Sequence, residues 1–321
     1  MVSAVPLLEI NGLRTYFYTL RGIVKAVDNV SLKLEKGETL GIVGESGCGK
    51  STLAWSIIGL VPPPGKIVDG SIIIDGIDIT KMSEGEIREK IRWKKVSMIF
   101  QGAMNALNPV YKIREQVAEP MILAGYSEHE AYKRVDELLE AVGLTPAVGD
   151  RYPHELSGGM KQRVVIAMAL TLEPDLVIAD EPTTALDVVV QAQILNLLKE
   201  LQRKKKRSII IISHDLGAVT ELAEKIAVMY AGKIVEFGTA EQVFNNPLHP
   251  YTQALIRAIP RLTGPVTKLE YIPGAPPDLR FPPPGCRFAP RCSKVMDICH
   301  KEEPPMKELE KGHFVACHLY D

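Results

Sequence analysis

The stretch Gly44-Glu45-Ser46-Gly47-Cys48-Gly49-Lys50-Ser51-Thr52 decides how the rest of this 321-residue chain is interpreted. It follows an apolar run at 39–43 and precedes a helical pattern, which is the context of a phosphate-binding loop. Glycines let successive backbone N–H groups surround an anion, and the helix N-terminus adds a partial positive charge. The stretch therefore predicts a nucleotide site in which Lys50 reaches the β- and γ-phosphates and the Ser51 hydroxyl contacts Mg²⁺.

The apolar runs around this loop predict an α/β fold. Residues 39–44, 176–180 and 208–213 are continuous and largely β-branched, as expected of central parallel strands that are covered on both faces. Helical patterns separate these runs, so a parallel sheet of βαβ type is expected. Residues 23–41 and 72–79 alternate apolar and polar side chains instead, which is typical of half-solvated strands.

One helical region interrupts this α/β pattern. Ser127 and Glu130 have the spacing of a capping box, and an apolar stripe follows them until Gly143. The pattern predicts a helical subdomain over about 106–160, inserted into the α/β body.

Composition restricts the classes of function. Lys and Arg number 38 and Asp and Glu 39, giving a net charge of −1. That balance lacks the long-range attraction typical of nucleic-acid binders. No apolar run approaches the length of a membrane span, and residues 1–10 do not have the pattern of a signal peptide. A cytoplasmic location and no nucleic-acid partner are expected.

A second candidate site lies where the run 176–180 ends. Asp180 and Glu181 follow apolar residues, and side chains at the carboxyl ends of parallel strands point into the ligand crevice. Asp180 is suited to the Mg²⁺ shell, and Glu181 is placed to polarise an attacking water.

Six motifs in order over residues 16–238 resemble those of ABC ATPases. Leu156-Ser157-Gly158-Gly159-Met160-Lys161-Gln162 resembles the signature motif, and Ala185-Leu186-Asp187 resembles the D-loop. Gln101 resembles the Q-loop glutamine, and His214 resembles the switch histidine. The resemblance implies that Glu181 is the general base, that His214 contacts the γ-phosphate, and that Gln101 couples the Mg²⁺ site to the helical subdomain.

The same resemblance implies partners and an adenine site. Two cassettes of such a family enclose two ATP molecules head to tail, with Ser157, Gly158 and Gly159 facing the partner's nucleotide. Asp187 of the D-loop is also implied to be a nucleotide-binding residue. This chain would pair with itself or with a sister ATPase. An aromatic side chain near the N-terminus is expected to stack on adenine; Phe17 is preferred by spacing, then Tyr16, with Tyr18 also open.

The end of the chain differs in composition from the rest. Ten of the 23 prolines and four of the five cysteines lie in residues 262–321, where helical and strand periodicity fails. Cys286, Cys292, Cys299 and Cys317 are separated by five, six and seventeen residues. Because this tail is too poor in apolar residues to form its own core, a metal staple is expected. A [4Fe–4S] cluster is the first interpretation, Zn²⁺ the second, and unliganded thiols or a disulfide the third.

The histidines at 300, 313 and 318 lie close enough in sequence to compete as ligands, and otherwise surface positions are expected for them.

The tail carries a second resemblance. Asn246-Pro247-Leu248-His249-Pro250-Tyr251-Thr252 and Gly285-Cys286-Arg287-Phe288-Ala289-Pro290-Arg291-Cys292 resemble the C-terminal extension of oligopeptide/dipeptide importer ATPases. The expected division is a P-loop ABC cassette over 1–244, with parallel core sheet, antiparallel β subdomain and helical subdomain, followed by a cysteine-stapled extension over 245–321.

The second resemblance implies two membrane permeases and, indirectly, an external binding protein as partners, at the cytoplasmic face of the membrane. Three other hypotheses remain open at this stage. The chain could act on DNA or ribosomes, it could serve an importer of nickel or another small cargo, or its tail could be a redox or metal sensor.

Overall fold

A computed structural model describes residues 5–102, 106–184, 186–258 and 272–321. The twelve strands of this described part are β1 (Leu8–Thr19), β2 (Gly22–Leu34), β3 (Thr39–Val43), β4 (Gly65–Ile74), β5 (Ile77–Asp78), β6 (Val96–Ile99), β7 (Leu176–Asp180), β8 (Ser208–Ser213), β9 (Lys225–Tyr230), β10 (Lys233–Thr239), β11 (Met306–Glu310) and β12 (His313–Ala316). Its nine α-helices are α1 (Lys50–Ile58), α2 (Glu84–Glu86), α3 (Ile113–Leu123), α4 (Glu128–Ala141), α5 (Gly158–Ala169), α6 (Val188–Lys205), α7 (Leu216–Thr220), α8 (Ala240–Asn245) and α9 (Pro250–Arg257).

The chain divides into two compact units. The first comprises Met1–Glu35, Thr39–Lys81 and Ile211–Asp321, and the second comprises Lys36–Glu38 and Met82–Ile210. Strand β8 passes from the second unit to the first between Ile210 and Ile211. No helix in the described part of the chain is both long enough and apolar enough to cross a bilayer.

The first unit contains an antiparallel sheet of order β2-β1-β4-β5. Along β2, buried and exposed residues alternate from Val30 to Leu34, as the sequence predicts for a half-solvated strand. Strand β3 is buried along its whole length and pairs parallel with β9, with Leu40 opposite Lys225. A continuous apolar run therefore becomes a covered parallel strand, as expected.

The second unit holds the other parallel pair and the helices predicted for the inserted region. Strand β6 pairs parallel with β7, with Val96 opposite Leu176, and β7 is fully buried. Helix α4 begins after Ser127, whose hydroxyl accepts from the Glu130 N–H in a capping box. Helices α3, α4 and α5 pack on one another through buried side chains that include Val117, Val135 and Val164. Parallel pairs, an antiparallel sheet and a helical group are thus all present.

The C-terminal extension departs from the predicted irregular tail, because two of its segments are strands. Strand β12 pairs with β10, and β11 pairs with β12, so the extension continues the order β11-β12-β10-β9-β3. Side chains along β12 alternate between buried and half-buried, and Val315 is fully buried. The extension therefore shares the sheet and apolar core of the first unit and does not need a core of its own.

A buried carboxylate fastens the extension to β10. Glu236 accepts hydrogen bonds from the Leu248 N–H at 2.9 Å and the His249 N–H at 2.8 Å, and it contacts His313 Nε2 at 2.9 Å. Burial lowers the pKa of His249 to about 3, so its neutral Nδ1 accepts from the Tyr251 N–H at the start of α9. Because every group in this cluster is buried, its hydrogen bonds hold α9 and β12 in fixed positions.

Candidate functional site

The predicted phosphate loop connects β3 to α1, and two of its three glycines are required by close backbone approaches. At Gly49, where φ is 107°, a Cβ atom would come within 2.1 Å of the Ala26 carbonyl oxygen. At Gly44, where φ is 153°, it would come within 2.1 Å of the Met229 carbonyl oxygen. Ser46 and Gly47 are exposed at the crest of the loop. The loop is therefore packed at both ends and open in the middle, where a phosphate would bind.

Lys50 is the first residue of α1, and its ammonium group lies inside the loop. Its Nζ donates to the Gly44 carbonyl at 2.7 Å and to the Glu45 carbonyl at 3.0 Å. Burial raises the pKa of the neighbouring Cys48 thiol, although Lys50 acts in the opposite direction. A buried lysine beside a neutral thiol is compatible with anion binding at this loop.

The three aromatic residues considered for adenine lie at the end of β1. The Tyr16 hydroxyl donates to Asp28 at 2.7 Å, and burial, followed by this hydrogen bond, raises the pKa of Tyr16 to about 12. Phe17 pairs with Gly65 of β4, and Tyr18 is exposed. The preference for Phe17 stays a prediction.

In the second unit, two predicted residues are in direct contact. Gln101 Nε2 donates to Glu181 Oε2 at 2.9 Å, and the Thr184 hydroxyl donates to the same oxygen at 2.9 Å. Glu181 follows β7 with φ of 47°, a left-handed conformation that non-glycine residues seldom adopt. Asp180, the last residue of β7, is buried. Backbone strain of this kind concentrates at functional sites, which agrees with a role for Glu181 in catalysis.

The signature and D-loop residues lie at the starts of two neighbouring helices of the second unit. Ser157 caps α5, with its hydroxyl accepting from the Met160 N–H at 3.3 Å, and Asp187 caps α6 by accepting from the Val190 N–H at 2.9 Å. A Cβ on Gly159 would meet Val190 Cγ1 at 2.8 Å. Ser157 and Gly158 are exposed, as an anion-binding helix terminus requires.

The predicted site residues are divided between the two units. His214 follows β8, is exposed, and belongs to the first unit together with the phosphate loop. Gln101, Asp180, Glu181, Ser157 and Asp187 belong to the second unit. The D-loop residue Ala185 and residues 103–105, which follow Gln101, lie outside the described residues.

The predicted cysteine staple is not supported. The described part of the chain contains no group of three or more His, Cys, Asp or Glu side chains that could hold a metal ion, and its five cysteines are free thiols. Burial and then the nearby Cys299 and Cys317 thiols raise the pKa of Cys286 to about 11. The expectation was wrong in assuming that the tail lacks other support, because strands β11 and β12 and the Glu236 cluster already hold it.

The histidine expectations are corrected in part. His300 is exposed as expected, whereas His313 is fully buried against Glu236. His318 is also buried, and its Nε2 lies 3.0 Å from the Glu302 carbonyl oxygen.

Contacts between the extension and the nucleotide-binding segments were not anticipated from the sequence. Arg291 forms two hydrogen bonds to the Glu45 carboxylate, and the Tyr251 hydroxyl accepts from the Glu45 N–H at 2.8 Å. Arg287 hydrogen-bonds the Asp28 carboxylate. Burial acts to raise the pKa of Asp28, but Tyr16, Lys233 and Arg287 outweigh it and hold that pKa below its usual value. The sequence marks these two arginines only by their position, because Arg287 follows Cys286 and Arg291 precedes Cys292.

The loop, its lysine and the two carboxylates after a parallel strand define the chain as a P-loop ATPase. Comparison with known proteins supplies the family. The family model "ABC transporter" matches residues 27–184, and the model "Oligopeptide/dipeptide transporter, C-terminal region" matches residues 235–299.

Two relatives cover nearly the whole chain. The oligopeptide transport ATP-binding protein AppD of Bacillus subtilis is 49% identical over 98% of this chain and 97% of its own length. The dipeptide transport ATP-binding protein DppD of Lactococcus lactis is 47% identical over 98% of this chain and 91% of its own length. The chain therefore belongs to the ABC transporter family and is an ATPase of that family.

A solved structure of an ATP-binding cassette has a fold similar to that of this chain. The dimeric, ADP- and phosphate-bound cassette MJ0796 superposes with a TM-score of 0.66 at 30% identity, covering 73% of this chain and 98% of that one.

Proposed function

We propose that this chain is the ATP-hydrolysing subunit of an importer that carries dipeptides or oligopeptides through a pair of membrane permeases. The observation that carries the proposal is the C-terminal extension. The cassette motifs are common to all ABC proteins, whereas residues 235–299 match a region described for oligopeptide/dipeptide transporters. The relatives that share both regions are named for peptide transport.

ATP would bind with its phosphates in the loop from Gly44 to Thr52 and its adenine on Phe17 or Tyr16. The buried Lys50 ammonium supports this assignment, since a cation neutralises the charge of the β- and γ-phosphates. The Ser51 hydroxyl, the Gln101 amide and the Asp180 carboxylate are oxygen donors, the ligands that Mg²⁺ prefers. Bound Mg²⁺ would neutralise charge that develops on the phosphate oxygens.

Hydrolysis would use Glu181 as general base. A water would lose a proton to the Glu181 carboxylate while its oxygen attacks the γ-phosphorus, and the bond from the γ-phosphorus to the ADP oxygen would break. The hydrogen bonds from Gln101 and Thr184 support this role because they hold the carboxylate in one orientation. His214 would donate to the γ-phosphate, where charge is greatest.

A head-to-tail dimer, with itself or with a sister ATPase, would complete the site. Ser157, Gly158, Gly159 and Asp187 would face the partner's nucleotide. Exposed apolar side chains next to them support an interface, since Val188 is 80% exposed and Val189 67% exposed at the start of α6. In the related cassette MJ0796 the solved form is a dimer.

The permeases would contact the helical part of the second unit, at the cytoplasmic face of the membrane, and an external binding protein would act through them. The large apolar side chains of Val110, Tyr111, Leu123 and Tyr126 support this surface, because all four are exposed. These residues flank the two ends of α3, and exposed apolar side chains are common at protein-interaction sites.

The test is purification of the tagged chain from native membranes. We expect two permeases to co-purify, and we expect Leu123→Glu to reduce their recovery about tenfold, because a carboxylate would be buried in the interface. Leu20→Glu, which changes an even more exposed leucine in the first unit, serves as the control and should leave recovery unchanged. Recovery of ribosomes or DNA in place of permeases would contradict the proposal. Recovery of the permeases of a nickel importer would contradict the assignment of peptides as the cargo.

We further propose that Cys286, Cys292, Cys299 and Cys317 hold a [4Fe–4S] cluster. Thiolates are the ligands of such clusters, and the Cys286 N–H donates to the Cys299 carbonyl oxygen at 2.8 Å, which brings two of the four cysteines together. When bound, the cluster would link the turn flanked by Cys286 and Cys292 to Cys299 and to Cys317, which follows β12. Anaerobically purified protein should contain iron and sulfide and absorb near 400 nm. Zinc alone, or metal-free thiols, would contradict this assignment.

A further inference from the structure

The phosphate loop contacts the C-terminal extension directly at an acidic residue, Glu45. Its carboxylate lies 2.6 Å and 2.9 Å from the two terminal nitrogens of Arg291, in a two-pronged ion pair. Its backbone N–H donates to the Tyr251 hydroxyl at 2.8 Å. The extension therefore fixes both the side chain and the peptide group of this residue, which lies five positions before Lys50. A two-pronged guanidinium–carboxylate pair sets direction as well as distance.

Arg291 is itself held rigidly. Its Nε donates to the Pro273 carbonyl at 2.8 Å, and its side chain is only 4% exposed. Its guanidinium carbon lies 5.8 Å from the centre of the Tyr230 ring, which in turn packs against Tyr251 and Phe288. A side chain with this many contacts has little freedom to move, so its ion pair restricts the position of the Glu45 carboxylate.

A second, indirect contact reaches the loop at Cys48. Arg287 donates to the Ala231 carbonyl and to the Asp28 carboxylate. The next residue in that turn, Gly232, donates its N–H to the Cys48 carbonyl at 2.8 Å. The extension thus contacts the loop directly at Glu45 and, through one turn, at Cys48.

We propose that Arg291 and Tyr251 are positioning residues for the nucleotide site, and that they hold the phosphate loop in the conformation that binds ATP. A phosphate loop binds anions because its N–H groups already converge, so affinity depends on how far the loop is ordered before binding. Fixing Glu45 removes freedom from the peptide groups that precede those donors. The inference rests on the proposed phosphate site and gives the peptide-transporter extension a part in ATP binding.

The test is a double-mutant cycle on the full-length chain, with MgATP and MgADP affinities as the measured quantities. Glu45→Ala and Arg291→Ala should each weaken both affinities about tenfold, and the double variant should be no weaker than the worse single variant. Tyr251→Phe removes only the hydroxyl and should weaken affinity about threefold. At saturating ATP, the kcat of Arg291→Ala and of Tyr251→Phe should stay within about twofold of the original value, because both substitutions lie outside the phosphate loop and leave the catalytic carboxylate unchanged.

Two further variants distinguish a failure of the proposed phosphate site from a failure of the positioning role. Lys307→Ala, which breaks an exposed ion pair with Asp321 in the same extension, should leave nucleotide affinity unchanged. Lys50→Ala should abolish measurable ATP binding, and full binding by that variant would remove the proposed phosphate site. If Lys50→Ala loses binding while the Glu45 and Arg291 variants bind normally, or if their effects add, the positioning role is overturned. Should Arg291→Ala fail to fold, Tyr251→Phe and Glu45→Gln carry the test, and normal affinity in both would overturn it.

Discussion

Replacing Glu181 with Gln should reduce ATP turnover by at least about 100-fold while leaving ATP affinity within about twofold of the original value. The carboxamide has nearly the shape of the carboxylate but cannot accept the proton of the attacking water. One oxygen remains, so the hydrogen bonds that Gln101 and Thr184 now make to Glu181 can be partly retained. The loss therefore falls on the chemical step and not on nucleotide binding. Steady-state phosphate release and equilibrium binding of labelled ATP measure the two quantities separately.

A control distinguishes this effect from a general loss of acidic charge. Glu137→Gln removes an exposed carboxylate of α4 that pairs with Arg134, and it should leave turnover unchanged. Substantial turnover in Glu181→Gln would remove the general-base assignment. A fall in turnover explained entirely by weaker ATP binding would do the same.

The second large effect is expected at Ser157. Aspartate is as good a helix cap as serine, so Ser157→Asp should preserve α5. Its negative charge would, however, face the γ-phosphate of the partner's ATP, where like charges repel. Turnover should fall by about 100-fold, whereas ATP binding to the separate chain should be unchanged, because in the proposed dimer the signature acts on the opposite nucleotide. Turnover and binding are measured as for Glu181→Gln.

Asparagine provides the matched control at this position. Ser157→Asn has the shape of the aspartate variant and the same capping ability, but no charge. It should retain most of the activity. Equal losses in the two variants would show that size and not charge matters, and weaker binding to the isolated chain would place Ser157 in its own nucleotide site.

The elements that the sequence predicts best are those whose signal is local. The fully apolar runs became the covered strands β3, β7 and β8, because only a strand buried on both faces is uniformly apolar. The capping box at Ser127 and Glu130 located the start of α4 to the residue. Both signals are carried by neighbouring residues, so no knowledge of distant contacts is needed.

The extension was predicted less well because its support is not local. Residues 313–316 form a strand because β10 offers them an edge, and that edge is about eighty residues earlier in the chain. Glu236 and His313 likewise form their buried contact across 77 positions. The composition of the tail alone predicts that a metal must hold it. Because β12 pairs with β10, the tail packs on the first unit without a metal.

In the candidate site, too, the features with a local sequence signal could be predicted and those that depend on distant contacts could not. The loop from Gly44 to Thr52 and the Asp180–Glu181 pair could be identified from spacing, because each motif is continuous. The Glu45–Arg291 ion pair could not, since its members are 246 positions apart and either residue alone reads as a surface charge. The contacts between cassette and extension therefore had to come from the structure.

Peptide uptake into vesicles that contain the permeases, the binding protein and this chain tests the central claim most directly. With the unchanged chain and ATP, uptake should exceed that of vesicles lacking the chain. With Glu181→Gln, uptake should fall to that lower value although ATP still binds. Undiminished uptake with Glu181→Gln would contradict the claim that ATP hydrolysis at this chain drives peptide import.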